Sequence, residues 1–275
     1  FNANTLVEKF AVVPSAVYPK LNLLTSTDYA HEYYVDGSPV VGDAYINSSW
    51  KTVLLGSTGA GGKSVFALDI TDPDHFAAGK LMWQFDTSNT TYANDIGYSI
   101  PHPSIVRLHN GKFVALIANG YNSTNGHAVL FIVDTADGSV IKAIDTGVDS
   151  DNGLSSPTPA DKDGDRITDY VYAGDLKGNL WKFDLSSETV ANWTASKLFT
   201  ACSADTCSDS NRQPITSMPE AMRHPKGGIM VLFGTGSYFS TSDNAAARIE
   251  AIYGVRDYGS TELTRADLLK QKILA

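Results

Sequence analysis

Cysteine is nearly absent from the sequence, which has only Cys202 and Cys207. Both fall in the polar loop "ACSADTCSDSN". No further Cys or His lies close enough in sequence to make a thiolate metal site, so the open alternative is a disulfide closing a short loop in an oxidising compartment. Positive charge is also scarce, with 21 Lys and Arg against 30 Asp and Glu and a formal net charge of −9. That balance argues against a nucleic-acid backbone or an anionic membrane surface as the main partner and favours cations. Long apolar runs are missing as well. "FVALIAN" and "AVLFIV" fall far short of the roughly 18 residues of a spanning helix. The chain does not open on a basic and apolar leader, so any export signal has been removed or lies upstream. Helical periodicity is confined to "LTRADLLKQKIL", where Thr264 is placed to cap a helix.

What the sequence does have is repetition. Four stretches share one order of signals: a Pro-containing turn, an apolar strand ending in Gly, and a second strand ending in Asp. The Gly marks Gly56, Gly120, Gly174 and Gly234 stand 64, 54 and 60 residues apart. The second strands "SVFALDI", "AVLFIVDT" and "GNLWKFDL" are rich in β-branched and aromatic residues between Gly and Asn turns. "LMWQFDT" and "VIKAIDT" supply a further strand to two of the units. Four short strands per unit, repeated, predict an all-β propeller of four-stranded antiparallel blades over a single domain, residues 1–275. The fourth copy, beginning at "QPITSMPEAMRHP", is the least regular. The opening "LVEKFAVVP" reads as an outer strand without partners, so the chain is expected to begin part-way through a blade of a larger protein. Trp83, Trp181, Phe183, Phe66 and Phe131 fall in the repeated strands and are expected between blades, in the core.

One loop carries distinctive chemistry. In "DKDGDRITD" the residues Asp161, Asp163, Asp165 and Asp169 occupy positions 1, 3, 5 and 9, with Ile167 at position 7 to offer a backbone carbonyl. Calcium takes six to eight hard oxygen ligands on a flexible frame, which such a loop supplies, whereas magnesium demands a rigid octahedral shell with retained waters. An EF-hand requires Gly at position 6 and Glu at position 12; here Arg166 and Tyr172 stand there. The exit "DYVYAGD" is a strand pattern, so the loop joins strands within a blade. A metal-free acidic turn is the alternative, at the expense of repulsion of about 1 kcal/mol per carboxylate pair 4 Å apart, even in bulk water.

Other motifs carry less. "GSTGAGGKS" imitates a phosphate-binding loop, but Ser57 replaces its first Gly and a strand follows it, so a hairpin turn is the reading. "GTGSYF" lacks the third glycine of a nucleotide fold and reads as a blade turn. The six His are scattered without metal or catalytic spacing.

The segments "FAVVPSAVYPKL", "YYVDGSPVVGDAY", "GAGGKSVFALDITDP" and "DKDGDRITDYVYAGDLKGNLWKFDLS", in that order, resemble the C-terminal propeller of the PilC/PilY proteins, type IV pilus biogenesis and tip adhesin factors of Gram-negative bacteria. The resemblance implies a modified β-propeller related in shape to quinoprotein dehydrogenases, with one Ca2+ held by Asp161, Asp163, Asp165 and Asp169 and the Ile167 carbonyl. It implies a non-enzymatic domain, located from periplasm and outer membrane to the pilus tip. Its partners would be pilins or minor pilins and a host-cell or abiotic surface. In that reading calcium supports pilus assembly, opposes retraction and promotes twitching motility and adhesion. The variable N-terminal region typical of the family is absent from this sequence. Two other readings compete: a quinone-cofactor dehydrogenase, which would gather an axial site from several blades, and a lectin-like propeller whose calcium touches a sugar.

Overall fold

The Asp residues that close the repeats end strands in the structure, and each one bends the chain in the same way. Asp69, Asp134, Asp184 and Asp257 accept a hydrogen bond on the side chain from the backbone N–H two residues on, at Thr71, Ala136, Ser186 and Gly259, over 3.0 to 3.1 Å. This side-chain mimic of a backbone turn lets the chain reverse straight out of a buried strand. The computed structural model describes residues 1–148, 151–239, 243, 249–259 and 262–271.

Blade one contains β1 (Val40–Ile46), β2 (Ser49–Ser57), β3 (Ser64–Asp69) and β4 (Leu81–Asp86). Blade two contains β5 (Ser104–Arg107), β6 (Phe113–Ala118), β7 (Val129–Asp134) and β8 (Val140–Asp145). In blade three the strands are β9 (Thr158–Ala160), β10 (Tyr170–Gly174), β11 (Asn179–Asp184) and β12 (Thr194–Thr200). Blade four has β13 (Glu220–Arg223), β14 (Ile229–Gly234) and β15 (Ile252–Asp257). Within each sheet consecutive strands pair antiparallel in chain order. The four repeats are therefore four blades, as expected for a modified propeller, but the fourth has three strands among the described residues instead of four.

Alternate side chains of a strand face opposite sides of its sheet. In blade two both sides are buried. Ala115, Ile117 and Phe131 pack into a cluster with Val53, Leu55 and Phe85 of blade one. Leu116, Leu130 and Ile132 pack into another with Val171, Trp181 and Phe183 of blade three. Phe131 and Phe183 are fully buried, each worth about 1.5 to 3 kcal/mol of transfer free energy. A third cluster joins Tyr172, Leu180 and Phe199 of blade three to Val231, Phe233 and Tyr253 of blade four. This two-sided burial explains the unbroken apolar runs of β6 and β7. Phe66, Trp83 and Trp181 are also buried, as expected.

Polar bonds cross the same seams. Asn119 Oδ1 accepts from Val129 N of its own blade at 3.0 Å and from Leu154 N, on the approach to blade three, at 3.1 Å. Asp175, fully buried in the β10–β11 turn, accepts five donors: Asn152 Nδ2, Lys177 N, Asn179 N, Asn179 Nδ2 and Trp181 Nε1. Between blades three and four, Asp257 accepts from Tyr172 Oη at 2.6 Å and pairs with Lys182 Nζ at 2.6 Å.

Two expectations fail at the ends of the chain. "LVEKFAVVP" forms no strand; from Leu6, whose backbone is left-handed (φ 58°), it runs without a ladder into a 3-10 helix over Ser15–Thr25. "LTRADLLKQKIL" does not form an α-helix. Thr264 and Asp267 make the capping box, but only one 3-10 turn, Arg265–Asp267, follows, and Leu268 is already extended. Parallel bridging of Leu263 to Phe199 and packing of Leu268 on the third cluster hold this segment against the blade edge. Residues 272–274 of that motif lie outside the described residues.

"GSTGAGGKS" is the β2–β3 hairpin connection, with Gly59 at φ +59°, and not a phosphate loop. Cys202 and Cys207 are joined by a disulfide, with Cα atoms 5.6 Å apart. No helix among the described residues is long and apolar enough to cross a membrane.

Candidate metal centre in the blade-three loop

The acidic loop leaves β9 at Ala160 and returns to β10 at Tyr170, so it lies within blade three and joins its first and second strands. Both ends are fixed by the sheet and its neighbour. Asp169 N donates to Ala160 O at 3.0 Å, and Thr168 N donates to Arg107 O of blade two at 2.9 Å. Between them the chain curls around its own first carboxylate. Asp161 Oδ1 accepts from Gly164 N at 2.5 Å and Oδ2 from Arg166 N at 2.8 Å. The curl needs left-handed backbone at Gly164 (φ 93°) and Arg166 (φ 68°). Glycine adopts that conformation without strain, whereas Arg166 carries some.

The result brings Asp161, Asp163 and Asp169 together, with one carboxylate oxygen of each lying within 4.8 Å of the others. Ligands on opposite sides of one calcium ion stand at most about 5 Å apart, twice its bond length to oxygen. The three fit one coordination shell. They differ in exposure: Asp163 is open to solvent, Asp161 half-buried and Asp169 buried. Asp165 stands outside the group; its Oδ1 accepts from Ile167 N at 2.7 Å, and Asp163 Oδ1 accepts from Asp165 N at 3.3 Å. Ile167 is half-buried. An ionised carboxylate offers about four acceptor sites, so backbone bonding leaves each aspartate able to bind a cation.

Partial burial pushes the Asp161 carboxyl up, but bonds from the N–H groups of Gly164, Arg166 and Asp163, with the charge of Arg223, outweigh it and hold the group below the ordinary carboxylate range. Asp161 is thereby kept ionised, the form a metal requires.

Two residues that linear spacing does not pick out belong to this centre. His109, in the turn between β5 and β6 of blade two, places Nε2 2.9 Å from Asp169 Oδ1, while Asp169 Oδ2 accepts from Lys162 N at 2.7 Å. A donor on the back of a ligating carboxylate fixes which oxygen faces the ion. Arg223, at the end of β13 in blade four, lies over the loop: a Cβ added at Gly164 would come within 2.9 Å of its Nη1. The loop of one blade is thus held from both neighbours.

Against known proteins, the model of a family described as the PilY1 beta-propeller domain matches residues 5–273. The chain belongs to the PilY1 β-propeller family. A type IV pilus biogenesis factor PilY1 of Pseudomonas aeruginosa is 41% identical over 97% of this chain and 25% of its own length. A PilY1 homolog of Xylella fastidiosa is 40% identical over 97% of this chain and 19% of its own length. The chain thus spans about a fifth to a quarter of the curated relatives it matches. The crystal structure of the Pseudomonas aeruginosa PilY1 C-terminal domain superposes with a TM-score of 0.78 at 41% identity, covering 95% of this chain and 57% of that one. In this chain the acidic loop lies in blade three, the His109 prop comes from blade two and the Arg223 cover from blade four.

Proposed function

We propose that this chain is a calcium-binding, non-enzymatic propeller of a type IV pilus biogenesis factor, acting outside the cytoplasm as far as the pilus tip. Membership of the PilY1 family supports the pilus assignment. The observation that carries the calcium reading is the meeting of Asp161, Asp163 and Asp169 in one loop. In this reading Asp165 and the Ile167 carbonyl complete the ligand set, and His109 holds Asp169 in place from behind.

Bound calcium supplies charge neutralisation for a cluster of carboxylates that otherwise repel one another. Asp161 and Asp163 gather the curl, and Asp169 ties it to blade two. Closed, the loop presents one fixed surface under Arg223; open, it presents another. A ligand shifts such a pair of states only through unequal affinity for them. The closed surface is what pilins or minor pilins would read, supporting assembly and twitching motility, opposing retraction, and promoting attachment to a host-cell or abiotic surface. Lacking an EF-hand's bidentate Glu, the loop is expected to bind at roughly micromolar to sub-millimolar calcium.

The test is calorimetric titration of calcium into chelator-stripped protein, beside Asp163→Ala and Asp165→Ala. One site per chain, lost in both variants, supports the reading and leads to pilus and twitching assays of the same variants in the full-length protein. Titration without heat, or with heat unchanged by the substitutions, overturns it.

A further inference from the structure

A second site lies at the other end of the blades. The acidic loop joins first to second strands, whereas the β2–β3, β6–β7 and β10–β11 turns join second to third strands. These connections stand at opposite ends of β10, whose five residues span about 17 Å. On that opposite face the turns of several blades surround a cavity of about 930 Å³, within the range of about 300 to 1,000 Å³ typical of small-ligand sites. Gly59 comes from blade one, Tyr121 to Gly126 from blade two, Leu176 from blade three and Phe239 from blade four, with Tyr33 closing one side from the N-terminal segment.

Its walls combine aromatic faces with groups that both donate and accept. Tyr121 and Phe239 meet with ring centroids 4.5 Å apart and form an aromatic floor from two blades that are not neighbours in the chain. Tyr238, 73% exposed, and Tyr33 stand at the rim. Asn122 and Thr124 are exposed between them. Asn122 at φ 60° and Asp151 at φ 49° are two of six non-glycine residues with left-handed backbone among the described residues, and both line the cavity.

Charge narrows the ligand class. Asp36 and Asp151 line the cavity and oppose an anion. Lys63, just outside the lining, lies over the Tyr98 ring, 5.6 Å from its centroid, and donates to Asn122 O at 2.7 Å, so it covers one aromatic face and offsets part of the charge of the two carboxylates. Exposed tyrosine rings beside amides and hydroxyls suit the apolar faces and hydroxyl rims of an uncharged sugar. We infer that this cavity is a binding site for a neutral oligosaccharide, separate from the acidic loop. The inference does not rest on the calcium reading, since no residue of the loop lines the cavity.

The experiment is saturation-transfer NMR on the whole chain with maltohexaose, cellohexaose and mannohexaose as neutral probes, a glucosamine hexamer as the cationic probe and hexagalacturonate as the anionic one. Binding of at least one neutral probe is expected, about 10-fold weaker in Tyr238→Ala for the loss of one stacking face. It should vanish in Thr124→Trp, which fills the cavity from an exposed position, and persist in excess chelator. Equal melting temperatures of the variants and the parent exclude unfolding as the cause. Binding of charged probes only, binding insensitive to both variants, binding lost in chelator, or no neutral probe bound would each overturn the inference.

Discussion

His109 Nε2 lies 2.9 Å from Asp169 Oδ1, joining a turn of blade two to the last carboxylate of the blade-three loop across 60 residues of sequence. Asp169 is the buried member of the acidic group, so its orientation sets where the other two must meet. His109→Ala is expected to weaken calcium binding by about 10- to 100-fold, the usual penalty for losing a group that positions a metal ligand. Chelator-competition titration measures it, and unchanged affinity would confine His109 to a structural role.

Calcium removal should lower stability by an amount that grows with the logarithm of the free calcium concentration over the dissociation constant. At a free calcium concentration about 100 times the dissociation constant, binding to the folded state alone contributes roughly 2.7 kcal/mol. Thermal melts with calcium and with chelator are expected to differ accordingly in the parent chain and to coincide in Asp163→Ala. A calcium-dependent shift that survives in the variant would place the metal elsewhere.

Asp175 accepts five donors while fully buried. Asp175→Leu strands the Trp181 Nε1 donor and the amides of Asn152 and Asn179, so a loss of about 3 kcal/mol or more is expected. Asp175→Asn keeps much of the volume and some acceptor capacity and should lose less. Denaturant unfolding of the two variants checks the order, and equal losses would contradict it.

Burial raises the Asp69 carboxyl, but bonds from the Thr71 hydroxyl and amide and from Lys51 and Lys80 overcome it and hold the group far below the ordinary carboxylate range. With the folded value depressed, the stabilisation is present above the unfolded value, about 3.9, and is lost as pH falls toward the folded value. Asp69→Asn should therefore be less stable than the parent at neutral pH, and the gap should narrow progressively below about pH 4. Melting temperatures from pH 7 downward measure it; a constant gap would remove Asp69 from the acid response.

The blades were legible in the sequence because Gly and Asp mark physical necessities, a close or left-handed backbone at one place and a side-chain turn at another. Asp69, Asp134 and Asp184 end their strands where the repeat places them. The acidic loop was legible for a similar reason: its spacing wraps carboxylates around a point, although the structure groups Asp161, Asp163 and Asp169 and leaves Asp165 bonded to Ile167 N. His109 and Arg223 were invisible because blade packing, and no local pattern, brings them to the loop. The terminal segments misled for the opposite reason. "LVEKFAVVP" has strand composition but finds no edge to pair with, and Thr264 caps a helix that contacts of Leu263 and Leu268 interrupt after one turn.

Asn119 spends one oxygen on two blades, accepting from Val129 N and Leu154 N together. In arrays where each unit meets its neighbour only through side-chain packing, units melt as loosely linked beads, and the ends fray first. Here a blade cannot open without uncovering a buried main-chain donor of the next. At the seam of blades three and four a side-chain bond does the corresponding work: opening it uncovers the buried Tyr172 hydroxyl and the Asp257 carboxylate. Damage in blade two or three is therefore expected to pass to its neighbour, so that these blades lose structure together in a thermal melt and not one after another.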